Sequence, residues 1–151
     1  MSEQAREERT ISIDQLLAEA TLLKEYINFY ENQALRISSI LAEVRKAKDS
    51  IDALTRSKDS EEIIVKLDTL GLSLARVKDV ERDNVLLNLG LDIYVYVDTS
   101  FALNYLSKVE SALVKDLEST RKVLDELTKR YAGIQQFLAS LQRAASEQAS
   151  R

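Results

Sequence analysis

The chain has 151 residues, a net charge of −4, 30% charged residues and 45% hydrophobic residues. That length suits about one domain. The composition is too apolar for a disordered chain, and no run of ~18 apolar residues predicts a membrane span. The first ten residues are polar and lack the apolar core of a secretory signal, which favours a cytoplasmic protein.

Several kinds of chemistry are disfavoured by the residues that the sequence lacks. It has no Cys and no His, and its three glycines, Gly71, Gly90 and Gly133, are too far apart to form a phosphate-binding loop. The acidic balance argues against a nucleic-acid partner, which would require clustered Lys and Arg. We therefore predict no catalytic residue, no metal site, no cofactor and no enzymatic activity.

The first element predicted is a long helix over residues 12–56. Ser12 and Gln15 match a capping box, and neither Pro nor Gly interrupts the helix. A heptad repeat then continues for more than five heptads, which is typical of a coiled coil, and only Lys48 breaks its apolar seam. The a and d positions are Ile13, Leu16, Ala20, Leu23, Ile27, Tyr30, Ala34, Ile37, Leu41, Val44, Lys48 and Ile51.

Further apolar residues of this helix lie outside the seam. Leu17, Leu22, Tyr26 and Phe29 are close to its N-terminal end, and the last three form a stripe of their own. They could broaden an ordinary core face or be covered by a second partner helix. Alternatively, they form an exposed apolar patch that binds another molecule.

Between residues 62 and 98 the hydrophobic period changes to two, which predicts strands. We expect two hairpins, 63–68 with 72–78 and 84–89 with 93–97, the second closed by a turn at Gly90-Leu91-Asp92. Isolated hairpins need a further hydrophobic surface, so either the strands pair with other subunits or a small sheet folds back on the helix ends. The residues predicted to form the oligomeric surface are Ile63, Val65, Leu67, Val85, Leu87, Leu89, Ile93, Tyr94, Val95 and Val97.

A second long helix is predicted over residues 99–146, after three residues that favour the N-cap position, Asp98, Thr99 and Ser100. Its length matches that of the first helix, which predicts an antiparallel hairpin with both termini at the end away from the strands. The polar exceptions in its seam are Glu110 and Thr120. The remaining a and d positions are Leu103, Leu106, Leu113, Leu117, Leu124, Leu127, Tyr131, Ile134, Leu138, Leu141 and Ala145.

The order of these elements resembles the alpha class of the prefoldin family over about residues 12–145. The segments EEIIVKLDTLGLSLARVKD and DNVLLNLGLDIYVYVD look like the two hairpins of that class, and FALNYLSKVESAL looks like the start of its return helix. The turns of this chain contain less Gly than is usual in the family. The resemblance implies that two alpha-class and four beta-class subunits join through their hairpins into a double β-barrel platform. It also implies that the coiled-coil tips hold unfolded proteins without ATP and pass them to a group II chaperonin.

The sequence thus predicts a single domain over residues 1–151, mainly α with a small β region: a long antiparallel coiled-coil hairpin whose helices are joined by two β-hairpins that form an oligomeric β-barrel platform. One functional hypothesis is a chaperone subunit that holds unfolded proteins at its helix tips. The other is a structural or tethering coiled coil that binds one folded partner. The residues predicted to contact unfolded clients are Leu16, Leu17, Leu22, Leu23, Tyr26, Phe137, Leu138 and Leu141.

Overall fold

A computed structural model describes residues 13–57, 62–68 and 70–149 of the chain. The predicted order of helix, two hairpins and helix is confirmed. The Ser12 half of the predicted capping box lies outside the described residues. The elements are α1 (Ile13–Arg56), β1 (Ile63–Lys66), β2 (Leu74–Val77), β3 (Asn84–Asn88), β4 (Tyr94–Asp98) and α2 (Thr99–Ala149).

The chain divides into two compact units, and each helix contributes to both. The first unit contains the described residues 13–38 and 116–149, and the second contains residues 39–115 with both hairpins. The helix predicted to end at about residue 146 continues to Ala149, because neither Gly nor Pro stops it there. The prediction of one domain over the whole chain stays a prediction.

In the first unit, the seam residues of the two helices pack together as the heptad pattern predicts. The antiparallel direction follows from two contacts: Leu17 shares a groove with Gln142, whereas Glu19, further along α1, accepts hydrogen bonds from Arg130, earlier in α2. This coiled-coil packing confirms the predicted fold class within the unit. The core is formed by Leu16, Ala20, Leu23 and Ile134, with Leu127, Tyr131 and Leu138 packed against it.

In the second unit, the charged residues that interrupt the two seams meet each other. Lys48 Nζ lies 2.7 Å from Glu110 Oε2, and Arg45 Nε lies 2.7 Å from Glu110 Oε1. The hydrogen bonds from Lys48 and from Arg45 hold the pKa of the Glu110 carboxyl below its usual value. The two charged exceptions in the hydrophobic pattern, Lys48 and Glu110, therefore bind each other.

The two hairpins each form a separate antiparallel sheet of two strands. In the first, Ile63 pairs with Val77; in the second, Val85 pairs with Val97. The strands of the first hairpin are shorter than predicted because the Asp68 carboxylate closes the turn, accepting hydrogen bonds from the Leu72 and Ser73 amides. Together with the Ser73 hydroxyl, which contributes most, these bonds lower the Asp68 pKa to about 2.

The segment between the hairpins connects the end of α1 to the start of α2. Arg82 is buried, and its Nε donates to Ser57 Oγ at 2.9 Å, just past the end of α1. The next residue, Asp83, accepts a 2.8 Å hydrogen bond at its carbonyl from the Thr99 amide, the first residue of α2. Asp98 caps α2, as predicted, by accepting from the Phe101 amide at 2.8 Å.

Candidate assembly and client-binding surfaces

One face of the second hairpin carries the residues predicted to form a barrel. The register places Leu87 opposite Val95 and Val85 opposite Val97. Leu87 is buried. It lines a groove of about 460 Å³ together with side chains of α1 and α2 such as Ile51 and Leu106. At Leu87, therefore, the hairpin folds back on the helices, which was the alternative interpretation of the sequence. Leu89, Ile93 and Val95 remain exposed.

The opposite face of the second hairpin is apolar, aromatic and open to solvent. Leu86 lies opposite Tyr96, and both are more than half exposed, as is Tyr94. The Tyr96 hydroxyl donates to the Glu81 carboxylate, which raises the Tyr96 pKa and lowers the Glu81 pKa. Only Tyr94 of these residues was among the predicted contacts. The period-two alternation that selected Val85 and Leu87 assigns Leu86 to the other face, and both faces turn out to offer apolar surface.

The first hairpin repeats this arrangement with a basic character. Ile63 and Val65 share one face, and Ile63 is half-buried. The other face exposes Ile64 and Leu74, beside Lys66 and Arg76. Neither Ile64 nor Leu74 is among the residues predicted to form the oligomeric surface. Glu62 forms ion pairs with Arg76 at 3.2 Å and Lys78 at 2.9 Å. Leu67, just past β1, is exposed as well.

The tips of both hairpins carry the most exposed leucines among the described residues. Leu70, Leu72 and Leu91 are 81%, 84% and 96% exposed. Leu91 and its neighbour Asp92 have φ angles of 52° and 58°. This left-handed region strains a leucine, whereas Asp tolerates it better. The alternating pattern does not identify these three leucines, because they lie in the turns, outside the strands that carry the period.

The eight residues predicted to contact clients all lie in the first unit, but their exposure divides them into two groups. Leu16 and Leu23 are buried in the core, and Leu138 and Leu141 are half-buried. Leu16 and Leu23 present no surface to a client because they are buried, and they stabilise the pairing of the two helices instead. The exposed members are Leu17, Leu22, Tyr26 and Phe137.

Several of these residues line one open groove between α1 and α2. The groove has a volume of about 390 Å³, and none of its lining residues is charged. Leu17, Leu138 and Leu141 come from the predicted set. Ile13, which had been assigned only to the seam, joins them and is more than half exposed. The remaining lining residues are Gln135, Ala139, Gln142 and Ala145.

Within the part of the chain that the structure describes, no cluster of three acidic side chains has the arrangement of a metal site. Neither α1 nor α2 contains, in that part, a stretch apolar enough to cross a bilayer.

The sequence profile of the prefoldin family, described as "Prefoldin subunit", matches residues 23–144. The chain is similar to the curated prefoldin subunit alpha of Saccharolobus solfataricus, with 29% identity over 90% of this chain and 91% of that one. The alpha subunit from Sulfurisphaera tokodaii is 28% identical over 89% and 94%. That of Hyperthermus butylicus is 28% identical over 99% and 96%.

Among solved structures, the chain resembles a subunit in the cryo-EM structure of filamentous PFD from Methanocaldococcus jannaschii. The TM-score is 0.65 at 17% sequence identity, and the match covers 81% of this chain and 97% of that one. This similarity concerns the fold: two long helices with a small β region between them. The chain therefore belongs to the prefoldin family of chaperones, and the resemblance to its alpha class is confirmed.

Proposed function

We propose that this chaperone-type subunit is part of an ATP-independent holdase that binds unfolded proteins in the cytoplasm and delivers them to a group II chaperonin. The observation that carries the proposal is the exposed apolar surface of the first unit. Leu17, Leu22, Tyr26 and Phe137 remain about half exposed although the helices on which they lie are paired. Monomeric proteins rarely leave such a group uncovered unless it binds something.

The uncharged groove that Leu17 lines supports the same function. A half-exposed leucine has about half its side chain left to bury, which contributes ~1 kcal/mol to binding, or a factor of about five in affinity. One such contact is weak, but several contacts on different subunits act together through multivalency. Weak individual contacts also permit release, which a protein that transfers its client requires.

Assembly with other prefoldin subunits is supported by family membership and by the exposed strands. Among the described residues each sheet has only two strands, so every strand has one free edge there, and two-stranded sheets need further surface to be stable. We infer that the exposed faces of the hairpins, including Leu89, Ile93 and Val95, pack against strands of beta-class subunits. The expected complex contains two alpha and four beta chains, and its native mass tests this stoichiometry.

The client site is tested by replacing Leu17, Leu22 and Phe137 with Ser. Assembled with its partner subunits, this variant should suppress the aggregation of at least two unrelated unfolded proteins several-fold less well than the wild type. Leu35→Ser is the control, because Leu35 is an exposed leucine of the same unit that is not among the residues predicted to contact clients. Equal suppression by the triple variant and the control would show that the client site lies elsewhere.

A second candidate function is a tether that binds one folded partner. It is favoured by the stripe formed by Leu22, Tyr26 and Phe29 on α1, which has the spacing that a partner helix would cover and is exposed. The same aggregation assay separates the two functions. A holdase delays the aggregation of several unrelated proteins, whereas a tether affects none of them and captures one folded protein.

A further inference from the structure

The polar cluster of the second unit consists of Arg45 and Lys48 on α1 and Glu110 on α2. Lys48 and Glu110 both occupy a positions of the heptad repeat, where an apolar side chain is the rule. Their side chains are only 25% and 22% exposed. Each oxygen of the Glu110 carboxylate accepts one 2.7 Å hydrogen bond, from Lys48 and from Arg45.

The heptad repeat by itself does not determine how far one helix is displaced along the other. A shift by seven residues again brings a and d positions together, so an entirely apolar seam has several registers of similar energy. A single polar residue at an a position is known to remove this ambiguity at some cost in stability.

In this chain, the cations and the carboxylate meet in one register only. A shift of one heptad would put Ser38 and Leu41, or Asp52 and Thr55, in the places now held by Arg45 and Lys48. Neither pair contains a cation, and one contains a second carboxylate. Glu110 would then be partly buried without a charged partner, which is strongly unfavourable.

A shift of one heptad is equally unfavourable for Lys48. It would bring Leu103 or Leu117 to the place of Glu110 and leave the ammonium group against a leucine. We propose that Arg45, Lys48 and Glu110 determine the register in which α1 and α2 pair in the second unit. The competing explanation is that the junction around Arg82, which ties the two helix ends together, determines the register without them.

Cysteine cross-linking measures the register directly, because the natural sequence has no Cys. Ile51 on α1 and Leu106 on α2 line the same groove in the second unit, and both occupy d positions. Ile51→Cys with Leu106→Cys therefore reports the native register. Val44→Cys with Leu106→Cys reports a shift of one heptad in one direction, and Ile51→Cys with Leu113→Cys reports a shift in the other.

Each Cys pair is placed in three full-length backgrounds and oxidised at low protein concentration. The wild-type background should give mainly the native cross-link. The second background, Lys48→Leu with Glu110→Leu, has an apolar seam and should keep its helical content. In this background the shifted cross-links should increase at least five-fold. The third background exchanges the charges, with Arg45→Glu, Lys48→Glu and Glu110→Lys. It should give mainly the native cross-link, as the wild-type background does.

Two results would overturn the proposal. If the leucine background retained the native cross-link at the wild-type level, the junction at Arg82 would be sufficient to set the register. If the charge-exchanged background gave shifted cross-links, or lost its helical circular dichroism, complementary charge would not be what selects the register.

Discussion

Leu22 and Leu23 are neighbours in α1 that the sequence assigned the same role, and the structure gives them opposite environments. Leu23 is 6% exposed in the core of the first unit, whereas Leu22 is 50% exposed. We predict that Leu23→Ala lowers the free energy of unfolding markedly and that Leu22→Ala changes it little. The pair tests whether the exposed surface is separable from the core that supports it.

The magnitude for Leu23→Ala follows from the buried atoms that it removes. Three carbons leave an apolar site, at ~0.8 kcal/mol for each methylene equivalent, and the cavity that remains adds about 1 kcal/mol. The expected loss is therefore about 3 kcal/mol. Leu22→Ala should cost less than about 1 kcal/mol, since half of the side chain is already in water and Ala favours the helix.

The assay is urea unfolding followed by helical circular dichroism, at one fixed chain concentration because assembly stabilises the folded chain. The aggregation assay is then run on both variants under conditions in which they remain folded. Leu22→Ala should weaken client binding, and Leu23→Ala should leave it near the wild-type value. Equal losses of stability in the two variants would refute the division between core and client surface.

Three further predictions concern the hairpins and their junction. Arg82→Met should destabilise the chain by about 2 kcal/mol in urea unfolding, because it removes a buried hydrogen bond to Ser57 Oγ; a loss under 0.5 kcal/mol would contradict this role. The Asp68 carboxyl, with its pKa lowered from 3.8 to about 2, should stabilise the first hairpin fully above pH 4 and lose that contribution as the pH falls through 2. An NMR titration of its side-chain carbon measures this, and a midpoint near 3.8 would exclude the turn bonds with Ser73. Leu91→Gly should raise the stability of the isolated chain by about 1 kcal/mol, because Gly accepts a φ of 52° without strain; unchanged or lower stability in thermal unfolding would show that the turn is not strained.

The helices and hairpins could be predicted because each has a distinct hydrophobic period. The 3.5-residue repeat gave α1 and α2, and alternation gave the four strands and their grouping into two hairpins. The opposite charges of Lys48 and Glu110, both at a positions, could also have been recognised as partners from the heptad pattern alone. In each case the information is local and repeats along the chain.

The remaining features depend on contacts that no period encodes. The heptad repeat places Leu16 in the seam and Leu17 outside it, but it does not say whether another helix covers Leu17, which the packing leaves half exposed. Arg82 looks like any loop cation in the sequence, yet it is buried because the end of α1 supplies Ser57 as its partner. The left-handed conformation of Leu91 is set by the strands that it connects, since Leu itself disfavours it.

The free strand edges of the two small sheets have a consequence for the cell that makes this protein. A chain without neighbouring strands exposes unpaired amide and carbonyl groups beside apolar side chains, the combination that starts edge-to-edge aggregation. We therefore expect a subunit made in excess over its partners to aggregate more readily than one that is assembled. Matched amounts of the subunits would keep these edges covered.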